Sequence, residues 1–171
     1  DLGQPLHAFD YDKITNKVIN VRAAINEEKV KTLDGNDNIL NESNIVISDD
    51  KEVLAIAGVM GCSNSSVTNQ TTNILIESAI FNPIYIRKGS KRLGISTDAS
   101  KRFERGVDDN CVNIALDKMA NLVVDISGGS VIDGTAFSKS ENRKLNNISF
   151  RLDKSTTSQF SISFNFCLPD K

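Results

Sequence analysis

The spacing of apolar residues changes once along this chain, near Ala79, and that change limits the folds open to it. Before Ala79, apolar residues form short runs or alternate with polar ones, which is typical of strands. After it, they recur every three or four residues, which is typical of helices. Strands that come before the helices, rather than alternating with them, predict an α+β fold. We expect a mixed or antiparallel sheet of short strands with helices packed on it.

The strand-forming half contains one clear hairpin signal. Asp34-Gly35 separates two short runs, and glycine accepts the positive φ that a tight hairpin turn requires. Val21, Ala23 and Ile25 alternate with polar neighbours, a pattern that predicts a half-buried strand. Three further apolar runs predict strands, the last of them buried and ending on the carboxylate of Glu77: residues 44–48, 53–57 and 73–77.

The helical half has recognisable start and stop signals. Asn82-Pro83 predicts a helix start and Gly94 its end, because Asn caps a helix and Pro is tolerated in its first turn. A second short helix is expected to open at Thr97 or Asp98 and to close at Gly106. Asp108 and Asp109 are expected to cap a third helix, which ends at Gly128-Gly129, and residues 131–137 to form a last strand.

Composition excludes several classes of protein. The 171 residues suit one domain, or one domain with a fragment of a second, and no apolar run approaches the roughly 20 residues of a membrane span. Cys62, Cys111 and Cys167 form no CxxC pair, which indicates reduced thiols in a cytosol. With His7 as the only histidine, a zinc site of the usual nitrogen and sulfur type is nearly excluded. Because the chain begins at Asp1 rather than Met, we expect the start of a domain to be missing.

Charge is balanced overall but not locally. The chain has 20 Lys and Arg against 22 Asp and Glu, whereas residues 87–105 hold seven basic and two acidic residues, a local charge of +5. A patch of this sign suits phosphate backbones, although two solvated helix faces explain the charge equally well. The basic residues are Arg87, Lys88, Lys91, Arg92, Lys101, Arg102 and Arg105.

Three further features are candidates for chemistry, each with a structural alternative. Gly58 and Gly61 leave the main chain open to a ligand, or they form a tight turn. Glu77 ends an apolar strand, where a carboxylate is either a recognition group or points to solvent. His7 lies between Leu6 and Ala8, where a structural histidine is more common than a catalytic one.

Six ordered motifs together resemble the β subunit of bacterial phenylalanyl-tRNA synthetase. They cover residues 1–137 in the family's order, in the region of its B3/B4 module, which hydrolyses tyrosine wrongly attached to the phenylalanine tRNA. The motifs are GQPLHAFD (3–10), TLDG (32–35), AGVMG (57–61), NILIESA (73–79), RLGISTDAS (92–100) and KRFERGVD (101–108).

The resemblance implies a role for each candidate residue. Glu77 would accept a hydrogen bond from the tyrosine hydroxyl, and Thr97 and Ala99 would form pocket walls. Gly58 and Gly61 would lie near the amino acid and the attacking water. Pro5 and His7 would lie near the scissile ester and the terminal adenosine, with His7 as the catalytic group that positions them. The seven basic residues would face the tRNA backbone, and no metal is expected in the site.

The resemblance also implies partners and a division of the chain. The partners would be tRNA(Phe) and the α subunit, in a cytoplasmic heterotetramer of two α and two β subunits without membrane contact. The module itself would need no cofactor, while the α subunit would use ATP and Mg²⁺. Residues 1–137 would be the module without its N-terminal part, 138–147 a linker, and 148–171 the start of the next domain or a divergent tail.

One departure keeps a second interpretation open. The family's pocket also uses an arginine and an asparagine shortly before GQPLHAFD, and both would fall upstream of Asp1. The alternative to an editing enzyme is therefore a non-catalytic module that binds RNA or forms a subunit interface.

Overall fold

A computed structural model describes residues 2–132, 135–136, 146–147 and 165–166 of the chain. The chain divides into two compact units, residues 1–131 and residues 132–171. The first unit contains eight strands and three α-helices among its described residues. The strands are β1 (Leu6–Asp10), β2 (Asn20–Ala23), β3 (Lys29–Lys31), β4 (Asp37–Ile39), β5 (Ile45–Ser48), β6 (Val53–Ile56), β7 (Met60–Gly61) and β8 (Ile74–Ser78). The helices are α1 (Pro83–Leu93), α2 (Asp98–Phe103) and α3 (Cys111–Ser127).

Every strand pair in the described parts of the chain is antiparallel. The largest sheet has the order β2-β5-β6-β7, while β1 pairs with β8 and β3 pairs with β4. In the second unit, β9 (Asn146–Asn147) pairs with β10 (Asn165–Phe166). The chain is therefore an α+β protein, with the strands of its first unit before the helices, as predicted.

One hydrophobic core joins the strands and helices of the first unit. Phe9 of β1, Leu54 and Ile56 of β6, Ile86 of α1 and Phe103 of α2 are all almost fully buried in a single cluster. Packing that connects distant parts of the chain in this way holds the ends of the site-forming strands in a fixed arrangement.

The hairpin signal at Asp34-Gly35 is confirmed. Gly35 has φ +84° in the turn between β3 and β4, a conformation that favours glycine. The turn is also attached to β7, because the Leu33 N–H donates to the Gly61 carbonyl at 3.0 Å. The hairpin therefore lies against the strand that carries one of the two candidate glycines.

The predicted helix boundaries are largely confirmed. The Asn82 side chain accepts from the Ile84 N–H at 3.0 Å at the start of α1, and Gly94 ends that helix with φ +68°. Thr97 caps α2 in a reciprocal arrangement with Ser100, and this helix ends at Phe103, three residues before the predicted Gly106. The predicted caps of α3 are wrong, because Asn110 holds the N-cap position and no side chain caps there. Asp108 instead accepts from the Asn110 N–H in the preceding turn.

The strand predicted around Val21 exists, but its buried face was predicted wrongly. Val21 is 61% exposed and Ile25 65% exposed, whereas Arg22 is partly buried. Arg22 binds the Glu28 carboxylate through both guanidinium nitrogens, at 2.7 and 3.0 Å. Because β2 is an edge strand and its covered side accommodates this ion pair, the apolar side chains lie on the open side.

The last predicted strand, residues 131–137, is not found where it can be checked, since residues 131, 132, 135 and 136 belong to no strand. Its other positions lie outside the described residues. So do most of the predicted linker (138–147) and of the tail (148–171). None of the described helices has the length and apolar character needed to cross a membrane.

Candidate functional site

The candidate site is built on the ladder between β1 and β8. His7 lies directly opposite Glu77 in this antiparallel pairing, so both side chains project from the same face. Neither side chain has a hydrogen-bond partner among the described residues. The opposite face carries Ser78, whose hydroxyl donates to the Val112 carbonyl of α3 at 2.8 Å. The ladder thus separates a structural face from one that presents the imidazole and the carboxyl group.

His7 is held by packing rather than by hydrogen bonds within the part of the chain that the structure describes. A Cβ atom added to Gly61 would lie 2.5 Å from Cε1 and 2.6 Å from Nε2 of His7, so the imidazole lies directly against that glycine. The edge of the ring also meets Phe9, with 4.6 Å between ring centroids. Burial lowers the pKa of His7 from its usual value of 6.5. The ring is therefore neutral at pH 7 and can accept a proton.

Glu77 is a largely covered carboxylate without a counter-charge among the described residues. Burial raises the pKa of Glu77 from 4.5 to about 7. No cation or N–H donor from residues 2–132 offsets this cost, so the ionised form is poorly stabilised in the free protein. A ligand that donates a hydrogen bond would relieve that cost, which makes Glu77 suited to recognise a hydroxyl group.

The carboxyl of Glu77 is expected to make the folded chain less stable as the pH rises from about 4.5 to about 7. In that window the unfolded carboxyl has lost its proton and the folded one keeps it, so the free energy of unfolding falls. The decrease should be roughly 2 kcal/mol, after allowance for partial solvent exposure of the group. Urea denaturation of the wild type and of Glu77→Gln between about pH 4 and about pH 8 measures the difference.

The control for that measurement is Glu42→Gln, which alters an exposed carboxylate in the segment between β4 and β5. This variant should keep the pH dependence of the wild type. A Glu77→Gln variant whose stability follows the wild type at every pH would show that folding does not raise the pKa of Glu77.

The turn between β6 and β7 connects the ladder to α2. Gly58 has φ +66°, and its Cα faces Phe81, Ile86 and Phe103 so closely that a Cβ would lie within 3.0 Å of each. At the next residue, the Val59 carbonyl accepts from the Thr97 hydroxyl at 2.8 Å. Thr97 therefore joins the start of α2 to the glycine turn while it caps the helix.

The structure thus brings together five of the residues singled out from the sequence: His7, Gly58, Gly61, Glu77 and Thr97. His7 packs on Gly61, Glu77 faces the same side as His7, and Thr97 is bonded to the turn between the two glycines. Ala99 is the second residue of α2 and packs against the core. Pro5 lies two residues before His7, and its carbonyl accepts from the Gln4 side chain at 3.2 Å.

The seven basic residues do not form one group. Arg92 is used within the fold, because its Nη1 donates to the Ile39 carbonyl at 3.0 Å and to Asn44 Oδ1 at 3.2 Å. Arg87, Lys88 and Lys91 are exposed on α1. Lys101, Arg102 and Arg105 instead line a cleft of about 580 Å³ that also includes Gly3 and Gln4.

Gln4 is the residue whose importance the sequence did not reveal. Its Nε2 donates to the Ala79 carbonyl at 2.8 Å, which ties the segment before β1 to the residue that follows β8. The GQP motif contained it, but its partner is 75 residues away and no local pattern indicates that bond.

A metal site and a reactive cysteine are the other kinds of chemical site considered in the part of the chain that the structure describes. No group of three or more His, Cys, Asp or Glu side chains there is placed to hold a metal ion. Cys62 is a buried free thiol, and burial raises its pKa to about 12, so it is unreactive as a nucleophile.

Comparison with known proteins places this arrangement in a family. The B3/4 domain profile matches residues 1–128. The phenylalanine–tRNA ligase β subunit of Protochlamydia amoebophila is 52% identical over 133 residues, 78% of this chain and 17% of that protein. The corresponding subunit of Geobacter metallireducens is 44% identical over 154 residues, 90% of this chain and 19% of that protein. That of Syntrophotalea carbinolica is 48% identical over 134 residues, 78% of this chain and 17% of that protein.

The chain therefore spans less than a fifth of the length of these relatives. Within that part, the match covers the ladder, the glycine turn and the basic helices that form the candidate site. The chain belongs to the B3/4 domain family, and its curated relatives are phenylalanine–tRNA ligase β subunits.

Proposed function

We propose that this module hydrolyses tyrosine wrongly attached to tRNA(Phe), as part of a phenylalanine–tRNA ligase β subunit. The observation that carries the proposal is Glu77, a largely covered carboxylate that has no partner among the described residues and faces the same side as the only histidine in the sequence. The names of the relatives suggest phenylalanine and a tRNA, and the motif resemblance suggests tyrosine as the amino acid to be removed.

The physical problem is to tell two similar amino acids apart. Tyrosine differs from phenylalanine by one hydroxyl, and an apolar pocket rejects an added hydroxyl only about 10²-fold. A second site that needs the hydroxyl makes the opposite selection. The Glu77 carboxylate accepts a hydrogen bond from tyrosine, whereas phenylalanine leaves it covered and unpaired, at a cost of about 1–3 kcal/mol or more for a charged group.

The reaction itself needs a positioned water rather than a strong nucleophile. The water oxygen forms a bond to the ester carbonyl carbon, and the bond from that carbon to the ribose oxygen breaks. One water proton ends on the ribose oxygen, and free tyrosine and tRNA leave. His7 is neutral and lies against Gly61, so it is placed to orient the water or to carry that proton. Main-chain groups of the Gly58–Gly61 turn and the carbonyl of Pro5 complete the surroundings of the ester.

The wider setting of the proposal follows from the family. The basic residues of α1, of α2 and of the turn after α2 attract the tRNA backbone, and Thr97 and Ala99 form the walls beside the amino acid. The β subunit would act in the cytoplasm in a heterotetramer with the α subunit, which would use ATP and Mg²⁺ to attach phenylalanine. The editing step as written uses neither of them.

Deacylation assays with the isolated chain test this proposal. Tyrosyl-tRNA(Phe) and phenylalanyl-tRNA(Phe) are incubated with equal amounts of chain, and release of each amino acid is followed against spontaneous hydrolysis. We expect faster release of tyrosine only. A folded chain that binds tRNA(Phe) but leaves both esters at the spontaneous rate would contradict hydrolysis and favour a non-catalytic RNA-binding module.

A further inference from the structure

A cleft of about 580 Å³ lies between the segment before β1 and the residues of α2 and the following turn. Gly3 and Gln4 form one side, and Lys101, Arg102 and Arg105 lie on the other. The side chain of Arg102 reaches across, since its Nη1 would lie 3.6 Å from a Cβ added to Gly3. The cleft is therefore bordered by two parts of the chain almost 100 residues apart.

The three cations of this cleft outnumber its two carboxylates and form no ion pair with them. Each is exposed, and none has an ion pair within the described part of the chain. The two carboxylates that also line the cleft have other roles. Asp108 accepts from the Asn110 N–H at 2.9 Å and from its side-chain amide at 3.0 Å, and Asp98 lies in the first turn of α2, where the helix dipole favours a negative charge. The cleft thus holds three cations against two carboxylates, a net charge of +1, and the planar donors of its two guanidinium groups suit a phosphate.

The position of the cleft relative to the ladder limits what can occupy it. Gln4 precedes His7 by three residues, and three residues span at most about 10 Å. The bond from Gln4 to the Ala79 carbonyl fixes this wall to the end of β8 as well. A nucleic acid strand whose terminal ester lies at His7 and Glu77 would therefore bring the phosphates nearest that ester to the cleft.

We propose that this cleft binds a backbone phosphate of the tRNA 3′ strand through Lys101, Arg102 and Arg105. The inference rests on the proposed function, because that function places the ester beside the ladder. It gives the basic residues distinct tasks. The α1 cations supply general attraction, Arg92 supports the fold, and the three cleft residues hold the phosphate next to the reacting end.

Binding of the trinucleotide CCA, the common 3′ end of tRNAs, tests the proposal with a probe too short to cover the whole basic surface. NMR titration of the chain measures its affinity at several salt concentrations, with adenosine as the probe that lacks phosphate. The variant is Lys101→Ala/Arg105→Ala, which leaves Arg102 beside Gly3. The matched control is Lys88→Ala/Lys91→Ala, which removes the same charge from α1.

We expect the cleft variant to bind CCA about tenfold more weakly than the wild type and to keep its affinity for adenosine. The slope of log K against log salt should fall by about 0.7 for each phosphate that the variant no longer neutralises. The control should change both quantities by less than half as much. Equal weakening by the two variants, or equal binding of CCA and adenosine by the wild type, would overturn the proposal.

The same proteins separate this inference from the proposed function. In one outcome, only the cleft variant loses CCA binding and the wild type releases no tyrosine. That outcome would support the phosphate site and contradict hydrolysis. Tyrosine release that is unchanged in the cleft variant, together with unchanged CCA binding, would support hydrolysis and contradict the phosphate site. A thermal melt of each variant establishes that the proteins compared are folded.

Discussion

Replacing Glu77 with alanine is expected to lower kcat/KM for tyrosine release from tRNA(Phe) about 10²-fold. The change removes a charged hydrogen-bond acceptor that the substrate hydroxyl requires, and a hydrogen bond to a charged group contributes about 1.5–3 kcal/mol. The slow release of phenylalanine should change much less, because phenylalanine never formed that bond. Single-turnover deacylation of both esters, by the wild type and by the variant, measures the ratio directly.

The pH dependence of tyrosine release is a second test of the role of Glu77. Since the pKa of Glu77 is raised to about 7, the fraction of ionised acceptor in the free protein increases as the pH rises through that value. We therefore expect kcat/KM for tyrosine to rise through about pH 7 and then level off. Glu77→Gln keeps a neutral acceptor of the same shape, so it should retain partial activity without that rise. The exposed control Glu42→Gln should follow the wild type throughout.

Two results would refute this role. If Glu77→Ala released tyrosine at the wild-type rate, Glu77 would have no role in recognising the substrate. A profile that falls through pH 7 in the wild type and is flat in Glu77→Gln would show that the protonated carboxyl, acting as a donor, is the active form.

Features that depend on local chemistry could be predicted from the sequence. The hairpin at Asp34-Gly35 follows from the conformational freedom of glycine, and the start of α1 follows from the capping oxygen of Asn82 and from Pro83. The start of α2 is local as well, because Thr97, one of the two residues predicted to open this helix, caps it through its side-chain oxygen. Each of these depends on a few consecutive residues, whose preferences agree with the folded structure.

Features that depend on interactions between distant residues could not be predicted in this way. The open face of β2 depends on the ion pair between Arg22 and Glu28, which alternation alone does not indicate. The opposition of His7 and Glu77 is a register between strands 70 residues apart. The motif resemblance suggests that these two residues share a site. It does not indicate that the strand pairing places them on one face. It also does not indicate that the basic residues divide between a helix and a cleft.

Substitution of Gly61 is expected to have the second large effect on stability and activity, because the imidazole of His7 packs directly against this glycine. Gly61→Ala would place a Cβ 2.5 Å from the imidazole, closer than real Cβ atoms approach other groups, so the ring or β1 has to move. We expect a loss of roughly 2–3 kcal/mol in the free energy of unfolding, typical of an added methyl group in a tightly packed site. Tyrosine release should fall at least as far as it does in His7→Ala, since the displaced ring no longer faces the ester.

A double-mutant cycle separates displacement of His7 from general damage to the fold. In the His7→Ala background the space beside Gly61 is open, apart from the exposed side chain of Leu33. Adding Gly61→Ala there should cost less than about 1 kcal/mol, which gives a coupling energy of about 1–3 kcal/mol by urea denaturation. Gly35→Ala is the control, because it is strained by its positive φ but has open space around it, so its cost should not depend on His7. An equal cost of Gly61→Ala in both backgrounds would mean that the glycine does not position the histidine, and His7 would lose the support that makes it a candidate for handling the water.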